Sequence, residues 1–144
     1  MRDVFFLTSG WFNAPAAVVE PLRVARSLRV VRLCNTVAVI VRDNGDVALV
    51  DCGWSREECA APVRVLGRIQ AAMIGMVVQH GDAIVDQLAM AGIAKDRVRT
   101  VVATHLHLDH IGGATDFPNA ETRNAGGAKY SDRFTGFRVV LTPD

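Results

Sequence analysis

Three of the four histidines in this 144-residue chain fall within six residues, at His105, His107 and His110, and Asp109 stands among them. An apolar, largely β-branched run, Val98 to Ala103, precedes the cluster, and Ile111-Gly112-Gly113, where the backbone can turn tightly, follows it at once. Imidazole and carboxylate are the usual ligands of zinc and similar divalent ions. In an extended segment alternate residues point the same way. His105, His107 and Asp109 are therefore expected to start on one side, with a turn at the strand end bringing His110 round to them. Four uncoordinated polar side chains crowded at a strand end would gain little for stability. The stretch reads as a metal nest at the C-terminal end of a strand.

The nest resembles the signature of the metallo-β-lactamase-fold superfamily, H-x-H-x-D-H after a strand and often running into Gly-Gly. His105, His107, Asp109 and His110 match all four signature positions. Upstream, Asn35 to Val41 and Val47-Ala48-Leu49-Val50-Asp51-Cys52-Gly53 resemble the family's early strands closing on its D-x-G turn. Phe117-Pro118-Asn119-Ala120-Glu121 resembles the segment that follows the signature in lactonase-like members. The family fold is an αββα sandwich of two halves with the metals between them. The resemblance covers roughly the first half, so it implies an α/β chain: a single domain over residues 1–144 with a mixed, largely antiparallel sheet and helices on one face.

Composition agrees with a globular domain. Half of the residues are hydrophobic and 22% are charged, well away from the balance of a disordered chain. A net charge of +1 gives no strong pull toward nucleic acid or an anionic membrane. That argues against the superfamily's nucleases and for neither nucleic acid nor membrane as partner. No apolar run approaches the ~20 residues of a membrane span. The opening Met1-Arg2-Asp3-Val4-Phe5-Phe6-Leu7 is too quickly interrupted for a secretory signal. Cys34, Cys52 and Cys59 are odd in number and lack C-x-x-C spacing. They fit a reducing compartment rather than a disulfide framework, and the expected location is cytoplasmic.

Along the chain, Asn13-Ala14-Pro15 and Glu20-Pro21 break regular structure, so an irregular entry with a short strand at Val4 to Leu7 is expected. A strand pattern begins at Leu28 and runs to Val41; Asp43-Asn44-Gly45-Asp46 turns it back into Val47 to Val50. Asp51, closing that strand, is placed to orient a histidine of the nest, or simply to cap a turn. Ser55 and Glu58 form a capping box, with a restart near Pro62. Val65, Leu66, Ile69, Met73, Met76 and Val77 are spaced for one face of a helix within Val63 to Val78. Asp82 is expected to cap a further helix bearing Ile84, Val85, Leu88 and Ala91 and ending at Gly92. His80 reads as a surface or helix-terminal histidine. Glu121 to Arg123 and Phe137 to Leu141 read as brief strands around a glycine-rich loop.

The resemblance also implies a chemistry. His105 and His107 would hold one metal, Asp109 and His110 a second, zinc in most members. Asp109 would also orient or deprotonate the attacking water, which makes it the catalytic candidate. The reaction class is hydrolysis of an ester-like bond, as in a lactone, thioester, β-lactam or phosphodiester, in a small-molecule substrate. The family draws further ligands from downstream, a histidine for each metal and an aspartate bridging both, whereas this sequence has no histidine after His110. Two expectations follow. Either the site is completed, by self-association or a partner chain, and is a metal-dependent hydrolase, or the chain is a catalytically incomplete half-domain that binds metal weakly or binds a partner.

Overall fold

The computed structural model describes residues 2–16, 29–68 and 75–124. Their strands form one six-stranded sheet. The first strand, β1 (Asp3–Pro15), pairs antiparallel with β2 (Val30–Val41), and β2 pairs antiparallel with β3 (Val47–Val50) through the Asp43–Asp46 turn. The chain then crosses over through α1 (Arg56–Ala60), α2 (Pro62–Leu66), the edge strand β4 (Met76–Val77) and α3 (Ile84–Met90). It returns as β5 (Val98–Ala103), parallel to β3, passes a single helical turn α4 (Leu108–Ile111), and ends in β6 (Glu121–Asn124), parallel to β5. The order across the sheet is β4-β1-β2-β3-β5-β6. This is the mixed α/β arrangement that the signature implied.

Alternation along the strands separates two faces. Val37 and Val39 of β2, Val47 and Leu49 of β3, and Val98 and Val101 of β5 point into one core. Ile84, Val85 and Leu88 of α3, Cys59 of α1, and Trp54 and Phe117 from the connections close over them. The opposite face is built from directly paired neighbours. Phe6 lies beside Ala38, Ala38 beside Val50, and Val50 beside Val102. In the next row Val4 lies beside Ile40 and Ile40 beside Ala48. No described helix caps this apolar face in the core contacts, and Phe6 is 68% exposed.

Local chemistry explains most elements. The capping box is formed as expected: Ser55 Oγ accepts from the Glu58 amide, and the Glu58 carboxylate accepts from the Ser55 amide at 2.8 Å. Pro62 opens α2 at a position where its missing N–H costs nothing. α3 ends at Met90, and Gly92 follows in the left-handed region. His80 is exposed in a turn.

Several expectations are corrected. β1 continues through Asn13-Ala14-Pro15 instead of stopping at Leu7. Its far half is held between β2 and β4, and Pro15 comes last, where a missing donor is tolerated. The single helix face from Val65 to Val77 is not formed. Gly67, with φ 78°, ends α2 after Leu66, Val65 is exposed, and Met76 and Val77 lie in a strand. Asp82 does not cap α3, whose N-cap is Ala83; its carboxylate instead accepts from the Gln79 amide. Ala91 lies beyond α3 and is exposed. Leu28, Ile69, Met73 and the expected strand Phe137 to Leu141 lie outside the described residues.

The two faces predict different responses to truncation. Leu49→Ala is expected to lower unfolding free energy by ~2–5 kcal/mol, since Leu49 is wholly buried. Phe6→Ala is expected to change it by no more than ~0.5 kcal/mol. Urea denaturation of the two variants checks this.

Candidate metal site

β3 and β5 are parallel neighbours, so their C-terminal ends emerge side by side. The Asp51 amide still donates to the Val102 carbonyl at 2.8 Å, but its φ is 60°. That left-handed conformation is uncommon for any residue but glycine, and aspartate is among those that tolerate it best. It ends β3 and turns the carboxylate across to the end of β5. There Asp51 Oδ1 accepts from the Thr104 amide at 2.8 Å, and Oδ2 accepts from the Thr104 hydroxyl at 2.9 Å. Oδ2 also lies 2.7 Å from His110 Nδ1.

The segment between β5 and α4 alternates its contacts. Leu106 is buried in a small cluster with Ala103 and Ile111. His105 and His107 on either side are exposed, their ring centroids 4.6 Å apart. His107 is the N-cap of α4, and this single turn carries Asp109 and His110. His110 comes back beside His105, with centroids 3.9 Å apart. The structure thus brings His105, His107 and His110 together. It does so through a bend and a helical turn rather than along an extended strand, because β5 ends at Ala103.

Two glycines permit the close docking. Gly53, at φ 66°, lies against Ser9, whose hydroxyl accepts from the Trp54 amide at 3.0 Å. Gly113 donates from its amide to the Gly53 carbonyl at 2.7 Å, and a Cβ there would collide with the Cys52 carbonyl. Gly112-Gly113 therefore serves close approach rather than the tight turn expected from the sequence.

The electrostatics follow from these contacts. Burial opposes the charged form of Asp51, but the bonds from His110 and Thr104 outweigh it and hold its pKa below the usual carboxylate value. Burial likewise opposes ionisation of Asp109, and His110 outweighs it and lowers the pKa. Burial opposes the imidazolium of His110, yet Asp109 and Asp51 prevail and raise its pKa to about 9. His105 moves the other way, lowered by burial and then by the neighbouring histidines. The one proton of the Thr104 hydroxyl is directed to Asp51, so at 3.0 Å the same oxygen accepts from His105 Nδ1. Nε2 of a neutral His105 is then left as a free lone pair.

The donor set fits a divalent metal of the zinc type, for which imidazole nitrogen and carboxylate oxygen are suited. His110 Nε2 and Asp109 Oδ2 face each other at 3.2 Å. Two tetrahedral zinc ligands at ~2.0–2.1 Å stand about that far apart. Among the described residues, no group of three histidine, cysteine or carboxylate side chains already surrounds one point. Sequence reasoning missed Asn35 and Thr104. Asn35, buried in β2, donates from Nδ2 to the Asp109 carbonyl; a lone asparagine inside an apolar strand pattern was the available signal.

The model of the metallo-beta-lactamase superfamily matches residues 31–129, and the chain belongs to that superfamily. It is 32% identical over 114 residues to a probable metallo-hydrolase of Mycobacterium tuberculosis, covering 74% of this chain and 36% of the relative. A probable metallo-hydrolase of Mycobacterium bovis matches equally. The fold is similar to an N-acyl homoserine lactone hydrolase solved with product at its catalytic metal center, with TM-score 0.68, 21% identity, and 83% and 46% of the two chains covered. A probable metal-dependent hydrolase from Staphylococcus aureus gives TM-score 0.62 at 19% identity, with 83% and 45% covered. The chain therefore spans less than half the length of these relatives.

The pairing with Asp51 can be read directly by titration. In metal-free protein the His110 ring is expected to titrate near 9, and Asp51→Asn to bring it down toward the ordinary ~6.5. Because the folded pKa is the raised one, the stability owed to the His110 charge is fully present below about pH 6.5. It is lost as the pH rises through about 9. NMR of the histidine rings and pH-dependent unfolding test both statements.

Proposed function

We propose that this chain supplies the metal-binding half of a hydrolase acting on an ester-like bond in a small molecule. The observation behind this reading is the Asp51–Thr104–His110 network, which orders a histidine and carboxylate cluster at the ends of β3 and β5. The residues that would hold metal are His105 and His107 on one side and Asp109 and His110 on the other. Bound zinc supplies a Lewis acid and brings the pKa of water from 15.7 to ~7.

The chain's own groups set the terms of that chemistry. Asp51 accepts a hydrogen bond from His110 Nδ1 and so turns Nε2 toward Asp109. Thr104 performs the same service for His105 through Nδ1. Asp109 stays ionised, with the lowered pKa of a group facing a cation, and is the group to hold or take a proton from water at its Oδ atoms. Leu106 and Ile111, both buried, keep the histidine-bearing segment against the sheet.

The substrate class rests on the similarity to lactone hydrolases, so lactones and thioesters come first. A second reading is favoured by the sheet face that no described helix covers. Phe6 and Val4 stand 68% and 46% exposed in a row with Ala38 and Ile40, and large exposed apolar patches usually mark association sites. A second copy or a partner chain covering that face would complete the sandwich; the chain alone would then be a catalytically incomplete half-domain. The three cysteines are free, two of them buried, which supports a cytoplasmic location. Among the described residues no helix is long and apolar enough to cross a membrane.

Elemental analysis and native mass on the purified chain, followed by assays on a simple lactone and a thioester, test the proposal. The expected result is metal retained through dialysis and hydrolysis that falls at least ~100-fold with His107→Ala or after chelation, as for loss of a catalytic ligand. Hydrolysis indifferent to both would overturn it. Metal retained without turnover in any oligomeric state would favour the half-domain.

A further inference from the structure

Asn35 lies in the run Leu33-Cys34-Asn35-Thr36-Val37 of β2 and is only 2% exposed. Asparagine is depleted in strands, and a buried amide is costly unless its polar atoms find partners. Its side chain reaches the turn 74 residues away, where Nδ2 donates to the Asp109 carbonyl. That carbonyl needs a partner. α4 has four residues, and the last four carbonyls of any helix lack one inside the helix. A single turn is also far too short to persist in water without outside support.

The neighbouring groups are tied down as well. The His110 carbonyl accepts from the Cys52 amide at 2.7 Å, with the Cys52 thiol 3.4 Å away, and the Gly113 amide donates to Gly53. Those ties fix the turn to the loop after β3. Asn35 fixes its other side to β2, one residue earlier, at the backbone of Asp109 itself. With one peptide unit tied to β2 and the next to the loop after β3, the turn is held on both sides, so the carboxylate of Asp109 and the ring of His110 leave it in set directions.

We propose that Asn35 is a positioning residue for the Asp109–His110 half of the site, holding those two side chains ready for a divalent cation. The cation itself rests on the metal reading given under Proposed function; the positioning of the turn does not. Asn35 touches no substrate and acts through the backbone of Asp109.

The test uses the full chain, first without metal. Amide hydrogen exchange is measured in wild type and in Asn35→Leu, which keeps the branching and the number of heavy atoms but has no donor. Asn35→Ala serves as the second variant should leucine fail to fit. The expected result is at least tenfold faster exchange at His110 and Ile111, whose amides bond to the His107 carbonyl. Exchange at Ala91, bonded to Gln87 in α3, should not change. Co²⁺ titration followed by visible absorption should then show at least tenfold weaker binding in the variants and a changed cobalt band. Unchanged exchange at His110 and Ile111 would overturn the proposal, and so would equal acceleration at Ala91, which would make Asn35 a support of the whole sheet. Wild-type protein that takes up no cobalt would sink the metal reading instead, while the exchange data would still decide the role of Asn35.

Discussion

The buried carboxylate of Asp51 is the constraint on which the site depends. A carboxylate removed from water is costly unless its lone pairs are met. Here they are met by the Thr104 amide, the Thr104 hydroxyl and His110 Nδ1. Every one of those donors belongs to the segment after β5. The end of β3 is therefore stable in this conformation only when the histidine segment docks on it. The parallel pairing of β3 and β5 makes the meeting possible, because an antiparallel pair would put the two C-terminal ends at opposite sides of the sheet. Asp51's left-handed backbone, a cost by itself, is what aims the carboxylate across the gap.

Among the described residues, the same sheet has one face covered by helices and one that no described helix covers. Val37, Val39, Leu49 and Val101 are wholly buried beneath α1, α3 and their connections. Their strand neighbours turn Phe6, Ala38, Ile40, Val50 and Val102 to the other side. Sheets with one face in water ordinarily alternate apolar with polar residues, but these strands carry apolar residues at most positions of both faces. A strand with that pattern is built to lie between two layers. The comparison in length agrees, since the chain spans 36% of its mycobacterial relatives.

Much of the fold was legible in sequence because it rests on local signals. The Asp43–Asp46 turn, the Ser55–Glu58 box and the β-branched run at Val98–Ala103 each determine structure within a few residues, and the structure contains all of them. The histidine spacing announced the cluster, and a carboxylate at the end of β3 suggested a partner for one ring. What escaped was non-local. β1 extends past Leu7 because β2 and β4 flank its far half. Met76 and Val77 fit a helical period but pair with Trp11 and Phe12 at the sheet edge. Gly113 looked like a turn residue, and its real constraint is the Cys52 carbonyl pressed against it. Asn35 gave no motif, because its purpose lies in a backbone carbonyl 74 residues away.

The network that orders the site also sets a condition on metal entry. Histidine must lose its proton to become a ligand. Asp51 and Asp109 flank His110 on both nitrogens, so they raise its proton affinity, to a pKa of about 9. A cation bound as proposed would compete with a proton held between two carboxylates. His105 differs, since burial and then the neighbouring histidines lower its pKa. The two parts of the cluster are thus unequal before any ion arrives. If these residues hold a metal as proposed, the ring of His105 would give up a proton more readily than the Asp109–His110 pair. With the proton exchanged, the Asp51 bond to Nδ1 would work in the ion's favour, because a hydrogen-bonded carboxylate makes the opposite nitrogen a better donor. The interaction that would resist the first step would therefore strengthen the last, and in this chain both run through Asp51.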